Sequence, residues 1–436
     1  MSKKINLKFN TTSLLLLVFF ILCFLTILWR PSWQIGGDGF GYYSYIRSFI
    51  FDKDFNLQNE FALFDVLNNY DTVQAWQTSV SQIANPFAIG AAILWSPFVF
   101  VAFIVSHIFN FDNPYFISGF NFPYQVAVTM GTWTYFLLGI AILFQTLKKI
   151  IGHSYAWLAI VNTIAISPVP FYLIYEPSMA HALTVFSSSL FFCVVYKIYK
   201  AEQIDYLDYL YLGLSVALLF LLRWQDIVFA LIALFIILYK IYLNKDYKKY
   251  IRAIGISLVA FVLLSSVQFL MWKHLFGTWL AIPQGASFFN LTSPHFWQFL
   301  FSSHHGMLAV HPLLIFPLLG LVLFYKQDKL LTKLLIFVLL IQIYINCAIY
   351  DWYGGGSFGA RRMVSSFFIF SLGMAYFIKT IFKRKIILVL CILLVFTGII
   401  FNALLMMSYA RGIIPLNGFT SYSELYQAPI KVLLDL

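Results

Sequence analysis

The sequence predicts an all-α polytopic membrane protein, with about eleven transmembrane helices and a long first extracytoplasmic loop that carries juxtamembrane helices. Composition is the first reason. Of 436 residues, 61% are hydrophobic and only 10% charged, and mean hydropathy is +0.84, a balance outside the range of water-soluble domains. Patterning is the second. Apolar runs of about 20 residues, the length one helix needs to cross a bilayer, recur along the chain. Charge is the third. Lysine and arginine cluster in short polar breaks between these runs, as in cytoplasmic loops. The net charge of +11 therefore reads as topology, and nucleic acid is not expected as a partner.

Residues 11–29 form the first span. Lys3, Lys4 and Lys8 precede it as in a signal peptide, but the apolar run is long and Trp29-Arg30-Pro31 is a poor small-residue cleavage site, so the span reads as uncleaved. Beyond Arg30 the chain turns polar. Tyr42, Tyr45, Ile46 and Phe49 recur there at helical spacing opposite Ser44, Arg47 and Ser48, which predicts an amphipathic helix along the membrane surface. Residues 85–110 are apolar and long enough to cross, yet contain Pro86, Gly90 and Pro97. Charge decides between crossing and dipping. If the segment dips and returns, the later spans are 122–147, 154–174, 179–196, 208–222, 227–243, 251–272, 307–325, 331–350, 363–378 and 386–407. The N-terminus is then cytoplasmic, the C-terminus outside, and 19 of the 28 Lys and Arg lie inside. Crossing would invert that ratio, so the dip is preferred.

The first outer loop then covers residues 30–121, and a short extracytoplasmic tail covers 408–436. The whole chain, 1–436, reads as one transmembrane domain, multi-pass, in a bacterial inner membrane. Twelve of the 17 acids fall on the outer, periplasmic face, with every irregular Gly- or His-containing loop, so function is placed there. Cys23, Cys193, Cys347 and Cys391 lie in or beside apolar runs with no C-x-x-C pair, and read as free core thiols.

Six outer stretches could carry chemistry. In GGDGFGYY, glycines on both sides of Asp38 permit close backbone approach to a ligand, and a carboxylate beside the bilayer can take a proton from a hydroxyl. The plainer reading is an Asp that caps the following helix. Tyr42, Tyr43 and Arg47 follow as substrate-binding or supporting residues. Asp52-Lys53-Asp54 has a spacing that can hold a divalent cation; a solvated acidic loop is the favoured reading, so no metal or other cofactor is assigned. Glu176 and His181, in EPSMAH, sit at the outer end of a span, as functional groups or as a helix start. Arg223, in RWQD, either pairs with Asp226 or turns into a cavity to hold a phosphate oxygen. His304 and His305 point to different faces of a helix, which disfavours joint metal ligation; either could donate to a phosphate or sugar. Finally, DWYGGGSFGARR places Arg361 and Arg362 outside, against the charge trend, where bidentate phosphate contacts suit arginine. Trp352 and Tyr353 offer a stacking surface. The glycine run lacks the G-K-[ST] ending of a P-loop.

Together these features resemble the GT-C superfamily of membrane glycosyltransferases, which includes protein O-mannosyltransferases and aminoarabinose transferases. The matching pattern is an acid just past the first span, a long first outer loop and Arg-bearing outer loops. The chain is also similar to an uncharacterised bacterial subgroup with G-D-G, E-P-S-M-x-H, R-W-Q-D, F-S-S-x-x-G and G-G-S-F-G-A-R-R in this order. The resemblance implies a polyprenyl-phosphate sugar donor in contact with membrane lipids, and a glycan, lipid or protein acceptor. It implies Asp38 as base and Arg361 or Arg362 on the lipid phosphate. Two features depart from the pattern: Gly39 follows Asp38 where many members have a second acid, and only about thirty residues follow Met407. A lipid-linked-sugar transporter or flippase, with broken helices and mid-membrane polar groups, and a non-catalytic subunit of a glycan-assembly complex are the alternatives.

Overall fold

A computed structural model of the chain describes residues 35–68, 71–109, 119–203, 205–382 and 385–434; the predicted first span lies outside them. Every regular element among these residues is helical. In chain order the helices used below are α1 (Asp38–Arg47), α2 (Gln58–Asn68), α3 (Gly90–Phe109), α4 (Phe122–Ile151), α5 (His153–Ala165), α6 (Val169–Ile174), α7 (His181–Lys200), α8 (Tyr206–Leu222), α9 (Trp224–Asn244) and α10 (Tyr247–Phe276). They continue with α11 (Ile315–Phe324), α12 (Lys329–Ala348), α13 (Arg361–Ile381), α14 (Lys385–Ala410) and α15 (Tyr422–Leu434). Eight helices among the described residues are long and apolar enough to cross a membrane. The chain is thus an all-helical protein of integral-membrane type.

Three expectations meet the structure. Residues 85–110, expected to dip and return without crossing, hold one unbroken helix, Gly90–Phe109, long and apolar enough to cross a membrane. Pro97 leaves the Ile93 carbonyl without its usual backbone donor, and the Ser96 hydroxyl supplies one at 2.7 Å, so the helix continues through the proline. The helix lies along the N-terminal half of α4: Trp95 donates to Thr132 at 2.9 Å, and Phe51 touches both Phe103 and Tyr124.

Second, α1 is not a surface helix. Every residue from Gly39 to Arg47 is buried. The face expected to meet water carries Ser44, whose hydroxyl bonds back to the Phe40 carbonyl at 2.8 Å, and Arg47, paired with Glu60 at 2.8 Å and with Asp52. Local partners remove the need for solvent on that side.

Third, two predicted spans are broken. Residues 154–174 divide into α5 and α6 around Ser167-Pro168. Residues 307–325 divide at His311-Pro312, between the short helix Met307–Val310 and α11. Proline cannot donate and clashes with the preceding turn. The carbonyls freed at the break are satisfied from α14, where the Asn402 amide donates to Ala165 at 2.8 Å and Ser167 at 3.1 Å.

The predicted loop classes separate to opposite ends of the bundle. At one end Lys197 pairs with Asp208 at 2.6 Å and Lys200 with Asp328 at 3.2 Å, and Lys240 donates to the Ala201 carbonyl. These residues all belong to loops expected on one side. The stretches around Asp38, His181, Arg223, Gln284, Asp351 and Arg361 converge at the other end.

Candidate functional site

Asp38 is positioned by two glycines. Gly37, at φ 52°, occupies the left-handed region as the residue before α1, which favours glycine. Gly39 abuts Ser178: an added Cβ would lie 2.8 Å from the Ser178 carbonyl oxygen. The first turn of α1 therefore packs directly on the EPSM stretch. Asp38 is the first residue of α1, with Gly37 in the cap position before it, so Asp38 is not the capping residue. Its carboxylate turns away and pairs with the Arg361 guanidinium at 2.7 Å. Arg361 also approaches the Met179 sulfur at 3.2 Å. Three stretches far apart in sequence thus meet at one carboxylate.

The pair lines a cavity of about 230 Å³, together with Tyr42, His181, Arg223 and Arg362. Arg362 is fully engaged. Its guanidinium grips both carboxylate oxygens of Asp351, at 2.7 and 2.8 Å, and the Asp351 carbonyl at 2.6 Å. Arg223 differs. It makes no ion pair within 4.0 Å among the described residues, and its guanidinium meets the Nδ1 of His181 at 2.9 Å. Asp226 faces elsewhere, accepting from Gln342 at 3.1 Å and Ser365 at 2.8 Å. Of the two readings of Arg223, the cavity is the one observed.

The Arg223–His181 contact has a chemical consequence. Guanidinium can only donate, so His181 Nδ1 must be a bare acceptor and its proton sits on Nε2. That Nε2 is buried with no partner among the described residues. Burial works against the Arg223 charge, with Asp226 acting in the other direction. Burial also pushes the Tyr42 hydroxyl up to about 12, with the Asp38 charge adding to it. The cavity carries three guanidiniums against two carboxylates, an excess of one positive charge in a poorly solvated space. Such a site suits an anion.

The remaining expected residues lie outside the cavity lining. Tyr43 is buried and donates to the Gly119 carbonyl at 2.6 Å. Arg47 holds the Asp52–Glu60 cluster together. Glu176 sits in the turn before α7, where its carbonyl accepts from Met179. His304 stacks near Tyr353 and His305, with Trp352 at its edge. Burial lowers the His305 imidazole to about 3, and it contacts the Leu416 carbonyl at 3.2 Å. These four aromatic residues form a packed support behind the glycine-rich loop. Asp52 and Asp54 are spent locally, on Arg47 and Asn59 and on Ser48. Among the described residues no cluster of three His, Cys, Asp or Glu could hold a metal ion.

Several lining residues had no signal in the sequence. Gln284 reaches the site through a bond to the Pro86 carbonyl at 3.1 Å. Phe288 and Ile349 are brought together by a bridge between Phe289 and Ile349, with Tyr350 donating to Phe288 at 2.8 Å. That bridge also fixes where Asp351 emerges. No protein-family model, no curated protein and no solved structure matches the chain.

Proposed function

We propose that the chain is a membrane glycosyltransferase that moves a sugar from a polyprenyl-phosphate donor to an acceptor hydroxyl at the outer face. The observation that carries this reading is the convergence of Asp38 with Arg223, Arg361 and Arg362 around one cavity. Asp38 takes the acceptor proton as the hydroxyl oxygen attacks the anomeric carbon from the face opposite the phosphate. The bond from that carbon to the phosphate oxygen breaks, and its electron pair leaves on the phosphate. Configuration is inverted. The leaving group is anionic throughout and needs charge stabilisation, which guanidiniums supply best from a preorganised, water-poor site.

The resting geometry adds an order of events. Asp38 is held by Arg361 before substrate arrives, and a carboxylate engaged by a guanidinium is not free to face an acceptor hydroxyl. Arg223, with no carboxylate partner among the described residues, is the first cation available to the donor phosphate. Once the phosphate competes for Arg361, Asp38 is released to act as base. Donor binding therefore precedes acceptor activation.

A second reading, a lipid-linked-sugar flippase, draws on the two broken spans, a feature of transport folds. One experiment separates them. The purified chain is placed in vesicles with radiolabelled polyprenyl-phosphate mannose, glucose or arabinose, and both bond cleavage and movement across the bilayer are followed. Release of sugar from one donor supports transfer. Movement across the bilayer with the sugar–phosphate bond intact supports the flippase and removes the transferase reading.

A further inference from the structure

Behind the cavity wall lies a carboxyl group that the site itself does not use. Asp226 follows Arg223, Trp224 and Gln225, which line the cavity, and it is fully buried, as are Gln342 and Ser365 beside it. Asp226 makes no ion pair within 4.0 Å among the described residues. Its Oδ1 accepts from the Gln342 amide at 3.1 Å and from the Ser365 hydroxyl at 2.8 Å. Its Oδ2 is buried with no partner among the described residues, and so is the Oε1 of Gln342.

Carboxyl and amide are thus joined by one bond, and each keeps a second oxygen with nothing to accept from. Two bare acceptors cannot satisfy each other. An ionised carboxylate in this place is also a buried charge without a cation at its side, which is costly. One proton resolves both difficulties. Carried on Oδ2, it turns Asp226 into a donor, and the oxygen left over on the amide is its acceptor. The two flat groups then exchange a pair of hydrogen bonds, each giving one hydrogen and taking one. Ionisable groups placed inside a membrane protein are functional candidates by default.

We propose that Asp226 and Gln342 form a proton-binding site, and that this proton and an anion in the cavity bind cooperatively. Arg223 is the link, because its charge acts on Asp226 and it also lines the cavity. The other groups bonded to Asp226 are neutral, Gln342 from α12 and Ser365 from α13. Ionised, Asp226 offsets the surplus positive charge of the cavity. Protonated, it leaves that charge to the anion. The proton comes from water, and the O–H bond on Oδ2 is the one covalent bond formed. Coupling is reciprocal: the anion raises proton affinity by the factor by which the proton raises anion affinity. This inference rests on the anion-binding reading of the cavity and adds a second, cooperating ligand.

The test uses the full chain in nanodiscs and dimethyl phosphate, an anion whose single charge stays constant between about pH 5 and about pH 9. Calorimetry should show affinity falling at least about tenfold as pH rises across that range, with proton uptake on binding, read from the dependence of the heat on the buffer. Asp226→Asn can still exchange two bonds with Gln342; it should bind at the low-pH affinity throughout and take up fewer protons. Ser365→Ala removes a donor that favours the ionised form, so the fall should move to higher pH. Infrared spectra at about pH 5 should contain a protonated-carboxyl band that Asp226→Asn removes. A pH dependence and proton uptake that persist in Asp226→Asn belong to another group and overturn the inference while the anion reading stands. An infrared spectrum unchanged by Asp226→Asn overturns it as well. Dimethyl phosphate bound by neither protein at any pH removes the anion reading, and the coupling with it.

Discussion

Replacing Asp38 and Arg361 singly and together tests whether the ion pair is a unit. At 2.7 Å and an effective dielectric of about 20, the attraction alone would be about 6 kcal/mol. Desolvation offsets most of it: the Arg361 side chain is 9% exposed and that of Asp38 27%. A net coupling of about 1–3 kcal/mol is expected for such a half-buried pair. Asp38→Asn should be the costlier change, because it leaves a buried guanidinium without a carboxylate. Arg361→Gln leaves Asp38 with water in the cavity. In the double variant the two amides can bond to each other, so its loss should fall short of the summed single losses by that coupling. Unfolding in mixed detergent micelles, followed by tryptophan fluorescence, measures each term. Losses that add to within about 0.5 kcal/mol would refute the pairing as a stabilising unit.

Other changes have separate signatures. Arg223→Gln should weaken phosphate-bearing ligands about 10- to 100-fold with little effect on folding, whereas Arg362→Gln should lower the melting temperature by freeing Asp351; calorimetric binding and thermal melts distinguish them. Gly39→Ala should destabilise by about 1–3 kcal/mol through overlap with Ser178, and adding Ser178→Gly should recover only part, since the Ser178 carbonyl remains 2.8 Å away. Asn402→Ala should cost about 1–3 kcal/mol, read as a fall in melting temperature, by stranding the Ala165 and Ser167 carbonyls. Burial pushes the Glu60 carboxyl from 4.5 up to about 7, against the pull of Arg47. A raised folded-state value means that Glu60's contribution is full below about 4.5 and is lost as pH rises through about 7. Glu60→Gln should flatten melting temperature against pH over that window, and an unchanged slope would contradict the assignment.

The parts of the site legible in the sequence were those marked by a local oddity. Asp38 stood out because glycines flank it beside an apolar run, and Arg361 and Arg362 because they sit against the charge trend. Local reasoning could not rank the three arginines. Among the described residues Arg223 is the one without a carboxylate, because Gln342 and Ser365, more than a hundred residues away, take Asp226. Arg362 is occupied because a distant bridge between Phe289 and Ile349 helps aim Asp351. The fold was legible at the level of span periodicity and less so at proline. Pro97 is carried through α3 by a neighbouring hydroxyl, while Pro168 and Pro312 break their helices, one of them because Asn402 can satisfy the opened backbone. Proline alone does not decide between these outcomes; the available donors do. Amphipathic spacing likewise misplaced α1, whose polar face is paired inside the protein.

The most direct test of the central claim is single-turnover transfer by Asp38→Asn, with donor binding measured on the same preparation. The account predicts donor affinity at or above the wild-type value, since Arg361 no longer has to be won from Asp38, and a transfer rate lower by about 10²–10⁴-fold. Transfer at the wild-type rate would contradict it.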